Sequence, residues 1–257
     1  MSATDLPYRL SHAVRKLWAG LPIRGENVWP EADNDLFRAH ASIYLFFSGS
    51  CDGKRVLDAG CGAGYGAAML AEAGAAEVLA VDLQPRNVRY ARRRYARPRV
   101  RYEAADLERL DRLELPDGSF DLVVSSNVLE HLERPERFLE EARRLLAPGG
   151  EMLLVMPPIT SDGHRRLNEA NPFHRSNLTV DGWLALFSKL GWGATLYRHT
   201  YEGAGRLDFA SPRPSRARLD DFRFTPTSRD EIYREGSLSG VYRLVPAACG
   251  ISGAKGE

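Results

Sequence analysis

The feature that most constrains the fold is an alternation of short apolar runs with amphipathic segments between Arg55 and Pro157. Strands are predicted at RVLDAG, EVLAVDL, RVRYEAADL, FDLVVSSN and EMLLVMPP. Helices are predicted at GAAMLAEAG, from Pro85 to about Arg97, and from about Leu129 to Leu146. Strand alternating with helix at this spacing predicts an α/β fold, with a mostly parallel sheet covered by helices on both faces.

The flanking parts of the chain are less regular. Thr179 is positioned to cap a helix at VDGWLALFSKLG, and strands are predicted at WGATLYRHT and GVYRLVPA. Residues 202–239 show little period, so we expect a surface excursion there, either a lid or a disordered connection. We expect one domain over 1–257, with an N-terminal helical cap (1–50), a ligand-binding core (51–158) and a substrate-side part (159–257).

Charge and cysteine usage narrow the classes of partner. The chain has 257 residues with 35 basic and 34 acidic side chains, a net charge of +1, which does not favour nucleic acid. Its basic run ARRRYARPRVR fits a solvated helix face. Cys51, Cys61 and Cys249 match neither a disulfide framework nor a metal knuckle, so we expect no metal and a cytoplasmic location. The N-terminal segment lacks a signal-peptide pattern, and no window predicts a membrane span.

The stretch VLDAGCGAGYG places a glycine-rich turn between a strand and a helix, where backbone amides can face a ligand. Gly62, Gly64 and Ala67 fit the permissive dinucleotide pattern, with Asp82 standing 20 residues after Gly62, so a nicotinamide cofactor stays open. Acids at the ends of three strands argue the other way, because they repel a diphosphate and suit a cationic nucleoside; they are Asp58, Asp82 and Asp106.

Five motifs resemble those of the class I S-adenosylmethionine-dependent methyltransferases in order and spacing: VLDAGCGAGYG, AVDLQP, AADLERL, FDLVVSSNVLEHL and RRLLAPGGEMLLVMP. The resemblance covers about Val56 to Pro157 and implies a Rossmann-like sheet of seven strands, the last two antiparallel. It also implies S-adenosylmethionine as cofactor and S-adenosylhomocysteine as product.

The resemblance assigns cofactor contacts by motif position. The loop of Gly60, Cys61, Gly62 and Gly64 would pass the methionine part, with Asp58 at the exit of the first strand; Cys61 fits a small packed residue rather than a nucleophile. Asp82 would bind the ribose hydroxyls. Leu83, Asp106 and Leu107 would contact the adenine, and the segment from Ser125 to Asn127 would line the methyl side.

The acceptor side is argued from position. His131 follows the fourth strand and His174 lies on a loop after the fifth, so each is a candidate for the base that an alcohol or phenol acceptor needs. In NDLFRAHASIYLFF, His40 shares a helix face with apolar residues, which fits either a substrate wall or a core histidine. Tyr44 lies one turn further on, and we expect it to form a wall of the substrate pocket.

These features predict an enzyme that methylates a small molecule, most simply at a hydroxyl of a sugar or other secondary metabolite. An amine acceptor is the nearest alternative. An NAD(P)-dependent oxidoreductase and a non-catalytic methyltransferase-like binding subunit are the alternatives from other classes. We expect a small-molecule acceptor as partner, without nucleic acid or membrane, and leave a homo-oligomer open.

Overall fold

The computed structural model describes residues 28–247. The first 27 residues of the predicted N-terminal cap, and Cys249, lie outside this range. Helix α1 (Asp35–Ser48) begins the described secondary structure after a short 3-10 turn at Pro30–Ala32. It starts at Asn34 because the side chain of that residue accepts a hydrogen bond from the Phe37 amide at 3.0 Å.

The next elements alternate as the sequence predicts: β1 (Arg55–Ala59), α2 (Tyr65–Glu72), β2 (Glu77–Asp82), α3 (Pro85–Arg94), β3 (Val100–Ala104) and β4 (Phe120–Ser126). They continue with α4 (Pro135–Leu145), β5 (Leu146–Met156), α5 (Asp162–Glu169), α6 (Val180–Lys189) and β6 (Trp192–Tyr201). The described part ends with β7 (Phe222–Thr227), α7 (Arg229–Glu235) and β8 (Gly240–Pro246). Further 3-10 turns lie at Leu107–Leu113, Leu129–His131 and Leu219–Asp221.

Within the described residues the strands form one sheet in the order β3-β2-β1-β4-β5-β8-β6-β7. Strands β1 to β5 pair with one another in parallel, while β8 runs antiparallel to both β5 and β6. The chain order reverses between β1 and β4, and the carboxyl edge at such a reversal is where open α/β sheets bind ligands. The predicted α/β class, with its antiparallel last strand, is confirmed.

The sheet has a core on each face because alternate residues of a strand point to opposite sides. Leu57 and Leu79 pack with α4, α6 and α7 on one face. Val56 and Val78 pack with α1, α2 and α3 on the other. Asp58, two residues after Val56, therefore faces α1.

Two sequence predictions differ from the structure. The segment 202–239, expected to be an excursion without regular structure, contains β7 and α7, so the sheet has eight strands where the resemblance implied seven. The helix expected from Leu129 is a 3-10 turn at Leu129–His131 followed by a separate helix from Pro135. Proline has no amide hydrogen and disfavours a helical backbone in the residue before it, so the chain is non-helical at Arg134 and Pro135 begins α4.

No helix in residues 28–247 combines the length and the apolar composition that crossing a membrane requires.

Candidate functional site

A cavity of about 320 Å³ opens at the carboxyl ends of β1, β2 and β4. It is lined by the glycine loop, by residues that follow β2, β3 and β4, and by one side of α1. Eleven of the predicted site residues line it: His40, Tyr44, Gly60, Cys61, Gly62, Asp82, Leu83, Asp106, Leu107, Asn127 and His131. The cavity therefore brings together residues that are spread over more than ninety positions of the chain.

The glycine loop has a backbone that other residues rarely adopt. Gly60, Gly62 and Gly64 have φ values of +87°, +53° and +87°, in the left-handed region that glycine enters without steric cost. The amides of Gly60 and Cys61 both donate to the Val81 carbonyl, at 2.8 and 2.9 Å. This pairing ties the loop to the end of β2 and fixes its path past the cavity.

Asp82 organises the loop and has capacity for a ligand. Its Oδ2 accepts from the Gly62 amide at 3.0 Å, while Oδ1 accepts from the Gln84 amide at 2.8 Å and Asn87 Nδ2 at 2.9 Å. A carboxylate has about four acceptor positions, so Oδ2 retains one. Burial raises the pKa of Asp82 above its ordinary value, against the lowering effect of these donors. A hydrogen bond from a ligand hydroxyl to Oδ2 would fill this fourth acceptor position.

Asp58 is a fully buried carboxyl directly beneath the loop. Burial raises its pKa to about 7, although the Tyr44 hydroxyl, which donates to Oδ1 at 3.0 Å, lowers it, and the charge of Asp82 raises it further. Among the described residues Oδ2 has no hydrogen-bond partner. A buried carboxyl with an open oxygen fits a cationic ligand nearby, because the ligand's charge would offset the desolvation of the ionised form.

Asp106 and Asn127 hold the ends of β3 and β4 in defined turns. Asp106 caps the 3-10 turn that follows it, its Oδ1 accepting from the Glu108 amide at 2.9 Å. Asn127 has a φ of +54° and donates its amide to the Val155 carbonyl at 2.7 Å. Both side chains line the cavity, so a turn role and a ligand role are compatible for each.

Three residues of the predicted cofactor set lie behind the cavity wall: Asp58, Gly64 and Ser125. Ser125 is buried and donates its hydroxyl to the Ala59 carbonyl at 2.8 Å, whereas its neighbour Ser126 lines the cavity. Direct cofactor contact by these three stays a prediction. Cys61 does line the cavity, but burial raises the pKa of its thiol, which keeps the thiol neutral and unreactive.

The two candidate bases adjoin one another, but only one of them reaches the cavity. His131 lines it, and its Nδ1 lies 3.0 Å from the Phe173 carbonyl oxygen. His174 is buried behind it, with Nδ1 2.7 Å from Asn168 Oδ1. The ring centroids are 4.9 Å apart with an interplanar angle of 78°. Phe173, which the sequence did not single out, lines the cavity in place of His174.

A carbonyl oxygen can only accept a hydrogen bond, so Nδ1 of His131 carries the proton in the neutral ring. The other nitrogen, Nε2, then has a lone pair that can accept a proton. His40 and Tyr44 line the cavity from α1. Contact of either residue with a substrate stays a prediction.

Comparison with known proteins agrees with this geometry. A sequence family described as a methyltransferase domain matches residues 57–154. A protein of Mycolicibacterium smegmatis described as a probable S-adenosylmethionine-dependent methyltransferase is 34% identical over 189 residues, which cover 73% of this chain and 71% of that protein. The ubiquinone biosynthesis O-methyltransferase of Xanthomonas oryzae is 36% identical over 135 residues, 50% of this chain and 55% of that enzyme. The chain thus spans between about half and seven tenths of these relatives.

Among solved structures, an S-adenosylmethionine dependent methyltransferase from Mesorhizobium loti superposes with a TM-score of 0.55 at 21% identity, over 80% of this chain and 99% of that one. At 21% sequence identity, the structural similarity to the M. loti protein establishes only the fold. The family is established by the M. smegmatis relative, which is 34% identical. The chain belongs to the S-adenosylmethionine-dependent methyltransferases. It is an enzyme of the transferase class with S-adenosylmethionine as cofactor, which replaces the nicotinamide alternative.

Proposed function

We propose that this enzyme transfers the methyl group of S-adenosylmethionine to a hydroxyl oxygen of a small molecule, a sugar or another secondary metabolite. The observation that carries the proposal is the position of His131, whose imidazole lines the cavity with Nδ1 held by a carbonyl oxygen. A hydroxyl acceptor must lose its proton as the methyl is transferred, and Nε2 of His131 is the group we assign to take it. An amine acceptor would need no such base.

The cofactor supplies an electrophilic methyl group on a sulfonium. The protein's task is to hold donor and acceptor in line and to exclude water. We propose that Asp82 accepts a hydrogen bond from a ribose hydroxyl at the open position of Oδ2. We also propose that the Asp58 carboxylate, beneath the loop, attracts the positive charge of the methionine part of the cofactor. Asp106, Leu83 and Leu107 would surround the adenine.

The acceptor would enter between α1 and the turn at Leu129–His131. Phe173 is exposed to 42% although it lines the cavity, and Leu132 and Val128 add apolar surface beside it. Such a wall favours an acceptor with an apolar part next to its hydroxyl. The Xanthomonas relative is an O-methyltransferase by name, which supports an oxygen acceptor. We also propose a cytoplasmic location, supported by the free thiols of Cys51 and Cys61.

The proposal is tested in two stages. Calorimetric titration with S-adenosylhomocysteine, with a nicotinamide dinucleotide in parallel, checks the cofactor, and we expect binding of the first alone. Matched pairs of hydroxyl and amine acceptors are then screened with isotope-labelled S-adenosylmethionine. Label transferred only to amines would reject the hydroxyl assignment while leaving the family intact.

A further inference from the structure

A second arrangement of donor atoms lies at the acceptor end of the cavity. Glu130, His131 and His174 each offer one ligand atom, and these three atoms lie within 4.8 Å of one another. Glu130 and His174 are buried, and His131 is half-buried. We propose that these three side chains form a binding site for a divalent transition-metal cation of the Zn²⁺ or Co²⁺ type.

The hydrogen bonds around both rings support this assignment. A metal-ligating histidine usually donates its other ring N–H to an oxygen of the protein, which fixes the tautomer and the ring orientation. His131 Nδ1 donates to the Phe173 carbonyl, and His174 Nδ1 donates to Asn168 Oδ1, because neither oxygen can itself donate. In each neutral ring Nε2 is therefore the unprotonated nitrogen, which is the form that ligates a metal cation.

The side-chain amide of Asn168 is held in one orientation by a further hydrogen bond. Its Nδ2 donates to Asn177 Oδ1, which fixes Oδ1 as the atom that faces the histidine. Asn168 is buried, so the contact is protected from water. The second layer of the site is thus a chain of side-chain amides, and it holds one tautomer of His174.

The two chain segments that supply the donors are also locked together. The amides of Arg175 and Ser176 both donate to the Glu130 carbonyl, at 2.7 and 3.0 Å. The Ser176 hydroxyl donates to the Leu132 carbonyl at 2.8 Å. Ligand atoms about 2.1 Å from one tetrahedrally coordinated cation lie about 3.4 Å apart. The three donor atoms, which lie within 4.8 Å of one another without a cation, would therefore move closer by up to about 1.4 Å on binding.

The donor set selects the class of ion. Two imidazole nitrogens and one carboxylate suit zinc, cobalt, iron or manganese, whereas magnesium and calcium prefer oxygen alone. Three protein donors leave at least one coordination position for water or an acceptor oxygen. The lone pair of His131 Nε2 cannot bind a cation and a proton together. A cation bound at this site would therefore prevent His131 from accepting the proton of the acceptor hydroxyl. This consequence rests on the proposed function, in which His131 is the base.

The test uses the full, untagged chain, stripped with a chelator, and Co²⁺ as the probe. We expect one Co²⁺ per chain, with the visible absorption of a nitrogen- and oxygen-ligated ion and without the intense near-ultraviolet band of thiolate ligation. Glu130→Gln and His174→Gln are expected to weaken Co²⁺ binding by at least about tenfold, and Asn168→Ala by about 10- to 100-fold. His164→Gln, which changes a buried histidine outside the donor set, is the matched control and is expected to bind as the unaltered chain does.

Binding of S-adenosylhomocysteine by each variant verifies that it is folded, and it needs no methyl acceptor, so the result is independent of the proposed function. Failure of the unaltered chain to bind Co²⁺ or Zn²⁺ would overturn the inference. So would equal Co²⁺ affinity in Glu130→Gln, His174→Gln and His164→Gln, since the ion would then lie elsewhere.

Discussion

The buried carboxyl of Asp58 is expected to make the stability of the cofactor-free protein depend on pH, and Asp58→Asn is expected to remove that dependence. Asparagine has nearly the same shape and can still accept the Tyr44 hydroxyl at its Oδ1 position, but it has no charge to desolvate. The perturbation therefore isolates ionisation from packing.

The magnitude follows from the pKa of about 7 in the folded protein, against about 3.8 for an ordinary aspartate. The difference is about three pH units, and each unit corresponds to about 1.4 kcal/mol. Below about pH 4 the group is protonated in the folded and the unfolded chain and costs nothing. Between about pH 4 and 7 only the unfolded chain ionises, so folding stability falls by a total of about 4 kcal/mol, and above pH 7 the loss is constant.

The assay is urea unfolding at pH 5 and pH 8, followed by tryptophan fluorescence. Other titrating groups contribute to both proteins, so the relevant quantity is the difference between Asp58→Asn and the unaltered chain at each pH. We expect that difference to grow in favour of Asp58→Asn by about 2–3 kcal/mol from pH 5 to pH 8.

Tyr44→Phe is the companion variant. The Tyr44 hydroxyl lowers the pKa of Asp58, so its removal is expected to raise that pKa and to extend the pH-dependent loss to higher pH. A lost packing contact alone would cost the same at both pH values. If the unaltered chain and Asp58→Asn show parallel pH profiles, the carboxyl is not desolvated in the folded protein and the reasoning is refuted.

Three further outcomes are expected. Asp82→Ala should weaken S-adenosylhomocysteine binding by about 1–3 kcal/mol in calorimetry, and unchanged affinity would reject the ribose assignment. Gly60→Ala should destabilise the protein by about 1–3 kcal/mol in urea unfolding, since its Cβ would lie 2.3 Å from Val128 Cγ2; the double variant with Val128→Ala should recover the clash part but not the cost of the positive φ. With an identified acceptor, His131→Gln should lower turnover by about two orders of magnitude with cofactor affinity intact, whereas full activity would leave His131 a structural residue.

Much of the sheet could be predicted because local pattern and tertiary position agree there. Each parallel strand is a short apolar run, and turn residues separate it from an amphipathic helix. Thr179 caps α6 as expected, its Oγ1 accepting from the Gly182 amide at 3.1 Å. The position of Asp82 at the ligand site could also be predicted, because an acidic residue at the carboxyl end of the buried strand that follows a glycine-rich turn faces the ligand regardless of the detailed packing.

The extra strand and helix at 222–235 were missed because their signals are weak. Strand β7 contains Pro226, which has no amide hydrogen to donate to a neighbouring strand. It is tolerated because β7 is an edge strand, with a paired strand on one side and solvent on the other. Helix α7 has seven residues, too few to show a period, yet its start was readable: Ser228 and Glu231 form a capping box. That spacing was the available signal.

The arrangement of the residues on the acceptor side of the cavity could not be predicted from the sequence, because it depends on contacts between residues far apart in the chain. His131 and His174 stand 43 residues apart, and hydrogen bonds between the loop after His174 and the segment around Glu130 bring them together. Position along the chain placed both at the same sheet edge. It could not show that one lines the cavity while the other lies behind it, since that depends on side-chain direction.

The glycine loop illustrates how one pattern can serve two purposes. Its sequence indicates a backbone that approaches a ligand, but at two of its glycines, and at Gly66 in the first turn of α2, an added Cβ would meet the protein itself. It would lie 2.3 Å from Val128 Cγ2 at Gly60, 2.4 Å from Ala91 Cβ at Gly64 and 2.1 Å from Tyr44 Cε1 at Gly66. The last contact is the informative one, because Tyr44 also donates to Asp58. Close packing of α1 on α2 therefore positions the hydroxyl that modulates the buried carboxyl. A larger residue at Gly66 would displace Tyr44 and so alter both the electrostatics of the site and the wall of the cavity.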